Sequence, residues 1–426
     1  MLKDSSRASH AAAVTPMRIT PSNLASVLPP GGLTLVQGCS GESVLLADAV
    51  TELGAAAGAM RFSGVFVAGL NRTNWLANPE CRGETFFMTP ELKRAGAAVD
   101  FLPLCYADIL AHLRNAKISA AVFMVSPPDR NGICSFGPVV DFLAELWPQI
   151  PVRIAHINPS MPHTYGQAGI PFAELSGVIE KDVPLLGMEE EAGDALASAI
   201  GGHVAGFIPD HATIQTGLGK IPGAVLRALT GHRGLKIHSG LVGDAVLDLV
   251  GAGALAEGAA ITAGVAIGSP RLYRAISAPM FSFRPVSYTH SMTVLAQIPL
   301  LRTINSAIAV DLYGQVYAEL TPRGLMSGPG GAGDFARGAK AAGGVRIIAL
   351  PAGADGGKIS RIVVPGQGPG PVSLGRQDVD VIVTEHGAAD LRGLSHAQRA
   401  AALIKVAPPS HREALAAGWQ AVYKTF

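Results

Sequence analysis

The feature that most constrains this chain is a recurring three-part pattern: a short unbroken apolar run, a glycine-rich turn, and an apolar stretch with helical spacing. Leu33-Thr-Leu-Val-Gln37 is followed by the turn Gly38-Cys-Ser-Gly-Glu-Ser43 and by a helical stretch from Val44 to Leu53. A run that is apolar on both faces suits a strand covered on both sides, which is the situation of a parallel sheet whose crossover connections are helices. Phe62 to Leu70, Ala120 to Val125 and Val152 to Ile157 read as further buried strands, with a short helix around Phe142 to Leu146. A second series starts after Pro209. There Ile214 to Gly217 ends a short strand, Pro222 sits where the first residue of a helix belongs, Ala224 to Leu229 continues that helix, and Leu235 to His238 is the next strand. Ile304 to Leu312, Arg346 to Leu350, Ile359 to Val364 and Val379 to Thr384 follow, interleaved with glycine-rich turns and helices. The expected fold class is α/β, with two open α/β domains whose sheets are mostly parallel.

A chain of 426 residues exceeds what one hydrophobic core usually serves. The expected division is an N-terminal domain over 1–207 and a C-terminal domain over 208–426. The 51 glycines and 30 prolines punctuate the apolar runs instead of forming one tract, so they argue for turns and not for disorder. A formal net charge of +1 with no Lys/Arg run leaves no electrostatic footprint for nucleic acid or an acidic membrane, and the expected partner is a small molecule. Met1 to Val14 lacks the apolar core of a secretory signal and reads as a disordered tail. Ala245 to Gly268, the longest low-charge segment, carries Asp248, Glu257 and several glycines, which fits a buried helix and strand better than a membrane span. Cys39, Cys81, Cys105 and Cys134 have no CxxC spacing, so free thiols in a reducing cytoplasm are expected.

General catalytic motifs narrow the field by failing. Gly217-Leu-Gly219-Lys-Ile-Pro lacks the third glycine of a dinucleotide fingerprint and the Lys-Ser/Thr pair of a P-loop. Gly38-Cys-Ser-Gly41 is one residue short of a nucleophile elbow, and no HExxH or clustered Cys/His spacing is present. His156 and His163 flank a loop and are read as structural; no metal is expected.

Specific resemblance lies in the loops. Ser126-Pro-Pro-Asp-Arg-Asn-Gly-Ile-Cys-Ser-Phe-Gly137 and Ile157-Asn-Pro-Ser-Met-Pro-His-Thr-Tyr-Gly166 resemble the N-terminal half of the acetyl-CoA hydrolase/transferase family. Ile304-Asn-Ser-Ala-Ile308, Val310-Asp-Leu-Tyr-Gly-Gln315, Ser327-Gly-Pro-Gly-Gly-Ala-Gly-Asp-Phe-Ala-Arg-Gly338, Ser360-Arg-Ile-Val-Val-Pro365 and Val383-Thr-Glu-His-Gly-Ala-Ala-Asp-Leu-Arg-Gly393 resemble its C-terminal half. The resemblance runs in order from about Leu33 to Leu415 and is to 4-hydroxybutyrate CoA-transferase-like members of the family.

It implies a CoA-transferase fold and an enzyme that moves CoA from an acyl-CoA to a small carboxylic acid, with CoA or acyl-CoA as substrate and no tightly bound cofactor. It also implies a homo-oligomer, a homodimer or larger. In such enzymes a glutamate attacks the thioester, because an acyl-glutamyl anhydride conserves the transfer potential that hydrolysis would dissipate. Gly217-Leu218-Gly219 matches the family's mobile loop beside the acyl site, Gly330-Gly331 the turn of its oxyanion hole, and Ser360-Arg361 its CoA-side segment. Taken only as residues, these glycines also suit plain tight turns, and Arg361 suits a structural ion pair.

The departure lies at Lys236-Ile-His-Ser-Gly240, where the family pattern is His-Ser/Thr-Glu. Gly240 takes the position of the nucleophile, and Ser239 is typical of the family. Glu42, at a strand-to-helix turn, is the preferred substitute base, with interaction at the N-terminus of the following helix as its structural alternative. Glu385 belongs to a signature that coexists with the usual nucleophile, and Cys39 would need a lowered pKa to act. Three functions stay open: a transferase with a relocated nucleophile; a hydrolase, C–C-cleaving or direct acyl-transfer enzyme with another base; and a non-catalytic CoA-binding subunit.

Overall fold

The apolar runs of the N-terminal half enter one eight-stranded sheet. In this computed structural model, which describes residues 15–424 apart from 21, 55–57, 190–191 and 322–323, its spatial order is Met17–Arg18, Gly177–Glu180, Val152–Ile157, Ile118–Val125, Leu33–Val36, Arg61–Gly64, Arg82–Thr85 and Val99–Phe101. The stretch up to Val14, expected to be a disordered tail, lies outside the described residues. All neighbours are parallel. The inner strands are buried on both faces, which is why their sequences read as largely apolar runs.

The expected strand from Phe62 to Leu70 stops at Gly64. The amide of Asn71 explains the stop: its Oδ1 accepts the Val67 N–H at 2.7 Å, while Leu70 N and Asn71 N donate back to the Val67 carbonyl, so these groups close a turn and are lost to the sheet ladder.

The second half forms another eight-stranded sheet, in the order Phe281–Phe283, Ile261–Ala266, Lys236–Val242, Thr213–Gln215, Leu301–Ser306, Val345–Ala349, Val381–Thr384 and Gly387–Asp390. Only the final pair, a hairpin, is antiparallel. Two expected strands are each divided. Ile304 to Leu312 splits into Leu301–Ser306 in the main sheet and Ala309–Asp311 in a three-stranded sheet with Val316–Tyr317 and Ile362–Val363. Ile359 to Val364 splits likewise, Ile359–Ser360 pairing with Gly353–Ala354. Buried Asp311 holds the turn after the first break, accepting from Tyr313 N, Gln315 N, Gln315 Nε2 and the Tyr317 hydroxyl. Hydrophobic periodicity reports burial and does not report a change of strand partner.

Pro222 is the third residue of helix Lys220–Ala228, not the first, because Gly219 at φ 112° lets the helix begin earlier. Its missing N–H still falls in the first turn, where no intrahelical partner exists. The low-charge segment from Ala245 holds helix Val246–Gly251 and strand Ile261–Ala266, and no described helix is long and apolar enough to cross a membrane.

The sheets join through backbone contacts and a shared core. Val140 N donates to Gly264 O at 3.0 Å, Ala266 N to Pro138 O at 2.8 Å, and Phe283 N to Tyr165 O at 2.6 Å. One continuous apolar cluster includes Phe123 and Phe136 from the first half with Ile237, Val265 and Phe283 from the second. Helix Ala195–Ala205, on the N-terminal side of the expected division, packs against helix Lys220–Ala228. Gly201 permits this approach, since a Cβ there would stand 2.7 Å from the Ala224 carbonyl oxygen.

Candidate functional site

In an open α/β sheet, ligands bind outside the carboxyl ends of strands, where the chain switches direction across the sheet. Each half has one such point. In the first it falls between Leu33–Val36 and Ile118–Val125, and the buried amide of Gln37 plugs it, accepting from Met124 N at 2.9 Å and donating to Val139 O at 2.9 Å. In the second it falls between Thr213–Gln215 and Leu301–Ser306, and it is open. A cavity of about 450 Å³, within the usual range for small-molecule sites, lies there between the halves.

Gln215 and Asn305, facing each other across the switch point, bond through their amides at 3.2 and 3.3 Å. Phe66, Phe87, Met326 and Phe335 supply apolar wall. Among the described residues the lining contains no Asp, Glu, Lys, Arg or Cys.

The cavity gathers Gly217, Leu218, Ser239, Gly240, Gly330 and Gly331 from separate parts of the sequence. Ser239 and Gly240 lie on strand Lys236–Val242, whose pleat alternates their directions. The Ser239 hydroxyl donates to the Thr216 carbonyl at 2.6 Å, tying this strand to the turn that carries Gly217. Gly217 has neither a left-handed φ nor any neighbour within 4 Å of a hypothetical Cβ. Gly219 is needed for its backbone angle alone; it lines an adjoining cavity that shares Gly217 and Leu218.

Gly330, at φ 62°, turns the chain into helix Ala332–Ala341, whose N-cap Gly331 offers no side chain. First-turn N–H groups of a helix have no intrahelical acceptor, so this end suits developing negative charge.

The side chain between the two glycine sites is His290, which the sequence reading does not single out. A Cβ on Gly240 would lie 2.7 Å from its Cε1 and 2.8 Å from its Nε2; one on Gly331 would lie 2.5 Å from Nε2. The ring stacks on Tyr106 at 4.5 Å and 12°, meets Phe335 at 4.6 Å, and places Nδ1 2.9 Å from the Thr289 hydroxyl. Burial, with neighbouring His238 adding to it, lowers its pKa to about 3, so the imidazole is neutral near pH 7. His238 is also buried and shifted down, with Nε2 on the Thr289 carbonyl at 3.0 Å. No local motif marks His290, because its partners come from segments far apart in sequence.

Other candidates stand elsewhere. Glu42 is fully buried and faces a different cleft, lined also by Asp48 and Arg72. Its carboxylate accepts from Trp75 Nε1 at 2.8 Å and Asn71 Nδ2 at 2.9 Å. Burial raises its pKa while these bonds pull it down. Ser43, not Glu42, supplies the side-chain cap of helix Val44–Glu52, accepting from Leu46 N at 3.2 Å. We therefore expect Glu42→Gln to lower stability by about 2 kcal/mol, since the new NH₂ meets donors where an oxygen had accepted. Urea unfolding checks this, and acyl-CoA turnover of the folded fraction should stay within about twofold because the side chain does not reach the central cavity.

Ser360 and Arg361 lie outside the lining of the central cavity; the Ser360 hydroxyl donates to Ile362 O at 2.6 Å and Arg361 N to Ala352 O at 2.8 Å. Glu385 accepts from Ala352 N at 2.8 Å. The Cys39 thiol is pushed well up by burial, with Asp141 and Glu42 adding to it, which leaves it un-ionised and unreactive. His156 is held by the Ser43 hydroxyl at 3.0 Å and the Lys181 carbonyl at 2.8 Å.

Comparison with known proteins agrees with this architecture. The 4-hydroxybutyrate coenzyme A transferase of Clostridium kluyveri is 35% identical over 326 residues, covering 74% of this chain and 76% of that protein. The structure of RipA from Yersinia pestis matches with a TM-score of 0.88 at 26% identity, over 96% of this chain and 98% of that one. A 4-hydroxybutyrate CoA-transferase from Porphyromonas gingivalis matches with a TM-score of 0.78 at 29% identity, over 95% and 97%. The profile of the acetyl-CoA hydrolase/transferase C-terminal domain matches residues 268–418. With its two mostly parallel sheets and similarity along both halves, the chain belongs to the acetyl-CoA hydrolase/transferase family.

Proposed function

We propose that this protein acts on an acyl-CoA without forming a glutamyl-CoA intermediate, the attack on the thioester coming from water or a bound small acceptor. The observation that carries this reading is the lining of the central cavity, which holds Gly240 and Gly330-Gly331 and no carboxylate among the described residues. We take Gly240 to stand where the family's glutamate does. A hydrogen cannot attack a thioester, and loss of a covalent nucleophile costs on the order of 10⁶ in rate in a well-studied protease, so ordinary ping-pong transfer does not survive as a slower version of itself.

Within this reading the acyl group enters between Phe87, Met326 and Phe335, where apolar walls exclude water from the reacting carbon. The N–H groups at the start of helix Ala332–Ala341 meet the charge that develops on the carbonyl oxygen. Gly217 leaves the cavity edge clear for the thioester arm. Acyl-CoA, with a small carboxylic acid as the alternative acceptor to water, is the proposed ligand set; Ser360-Arg361 would act on the CoA side, the assembly would be a homo-oligomer, and no tightly bound cofactor is required.

The test is thiol release from a panel of acyl-CoAs, with and without added carboxylates, combined with peptide mass spectrometry and borohydride treatment of the enzyme. We expect thiol release without any enzyme-bound CoA thioester and no loss of activity to borohydride. A CoA adduct on any glutamate would make the protein an ordinary covalent transferase with a displaced nucleophile.

A further inference from the structure

We propose that His290 is a catalytic residue, donating its Nε2–H to the carbonyl oxygen of the bound thioester. This rests on the CoA-thioester reading above and gives one polar side chain of that site its role.

The first support is steric. The ring edge bearing Nε2 fills the space that a Cβ on either Gly240 or Gly331 would need, so both glycines and the imidazole form a single arrangement. The second is the identity of the ring proton. The Pro285 carbonyl already accepts from Tyr288 N at 2.9 Å and Thr289 N at 3.0 Å, leaving the Thr289 hydroxyl a poorer third contact at 3.3 Å. Its better acceptor is His290 Nδ1 at 2.9 Å, and a neutral imidazole that accepts at Nδ1 carries its proton on Nε2.

The third support is that, among the described residues, Nε2–H has no hydrogen-bond acceptor. His290 is 4% exposed, lines the cavity, and makes its one side-chain hydrogen bond through Nδ1. Nε2–H is therefore a donor turned to the cavity, free to meet an acceptor brought by the ligand. Tyr106 and Phe335 clamp the ring and fix the direction of donation. A neutral histidine kept from protonation by burial is suited to polarising a carbonyl, because it can give a hydrogen bond without giving up its proton.

The step balances as follows for water. Its oxygen bonds to the thioester carbon, and the carbonyl π pair moves onto the oxygen facing His290 Nε2–H. Collapse restores the carbonyl and breaks the C–S bond. The thiolate takes a proton from the added water, giving free CoA and a carboxylic acid, and His290 keeps its own proton throughout.

The experiment uses the full chain and a ketone analogue of acetyl-CoA in which CH₂ replaces sulfur, labelled with ¹³C at the carbonyl. In the wild type the bound carbonyl resonance should move downfield of the free analogue. His290→Ala should lose that movement while binding within about threefold, and should lower kcat by ~10²–10³-fold, as removal of one oxyanion donor does. His290→Gln, which keeps an N–H donor, should recover part of both. Thr289→Val should give an intermediate resonance, because the ring remains but its tautomer is no longer imposed. An equal downfield movement in wild type and His290→Ala, or an unchanged kcat, overturns the assignment and leaves His290 as packing. Failure of the wild type to bind either the analogue or any acyl-CoA overturns the CoA-thioester reading itself, and this assignment with it.

Discussion

Gly240→Glu is expected not to produce a covalent transferase, whereas Gly240→Glu combined with His290→Ala is. The strand backbone is no obstacle, since Gly240 lies within Lys236–Val242 and its φ is not left-handed. The obstacle is the imidazole, 2.7 to 2.8 Å from where the new Cβ would sit, a separation at which one group must move. His290 cannot swing aside cheaply, held as it is by Tyr106, Phe335 and the Thr289 hydroxyl. Forcing atoms into such a packed place typically costs about 1–3 kcal/mol, so the single variant should unfold at lower urea and form no CoA adduct. Removing the ring opens the gap between residues 240 and 331, and a glutamate there faces the N-terminus of helix Ala332–Ala341. The double variant should then yield a CoA adduct on residue 240 by peptide mass spectrometry and become sensitive to borohydride. An adduct in the single variant would mean that the ring yields more readily than its contacts indicate.

Asp141→Asn is expected to flatten the pH dependence of stability above neutrality. Asp141 is 7% exposed, and burial pushes its pKa up to about 8, so at neutral pH it is held as the un-ionised acid near the buried Cys39 and Tyr106. The unfolded chain gives up this proton near pH 4. Between those values the folded state binds more protons than the unfolded state, so the contribution is fully present below about pH 4 and declines as pH rises to about 8.

His290 acts in the opposite sense. With a folded pKa of about 3 against about 6.5 when unfolded, it adds stability as pH rises through that window and is silent above it. His238 and His156, both shifted down by burial, act in the same direction. The two senses offset one another in mild acid, and Asp141 is exposed to measurement between pH 6.5 and 8. There the wild type should lose about 2 kcal/mol, at about 1.4 kcal/mol per pH unit, and the asparagine variant should not. Urea titrations at pH 6.5, 7.5 and 8.5 decide it; parallel losses in both proteins would rule Asp141 out as the source.

Strand positions were legible where burial left a largely apolar run, as in Leu33–Val36, Ile118–Val125 and Val152–Ile157. They were less legible where one run served two sheets. Ile304 to Leu312 reads as one strand, and only hydrogen-bond partners separate Leu301–Ser306 from Ala309–Asp311. The glycine turns were legible as turns, but the reasons for them were not. Gly219 and Gly330 serve backbone angles, Gly331 and Gly240 leave room for an imidazole, and Gly217 has no steric reason in the protein itself.

Glu42 shows the limit from the other side. A carboxylate at a strand-to-helix turn fits a base as well as it fits a structural acceptor, and the difference lies in Asn71 and Trp75, which satisfy its oxygens. The same rule about strand ends that favoured Glu42 applies to both halves, yet Gln37 plugs the first switch point and leaves the second open.

What the sequence by itself determined is therefore what is local or periodic: two α/β halves, a glycine at position 240 where a resemblance calls for glutamate, and turns rich in glycine. What only the tertiary structure decided is which side chains meet. Gly240, His290 and Gly331 come from a strand of the sheet, the end of a short helix and the cap of another, and no interval between them has a periodic meaning. Their juxtaposition follows from the sheet order and from close packing, which allows one imidazole into a gap only because two Cβ atoms are absent from it.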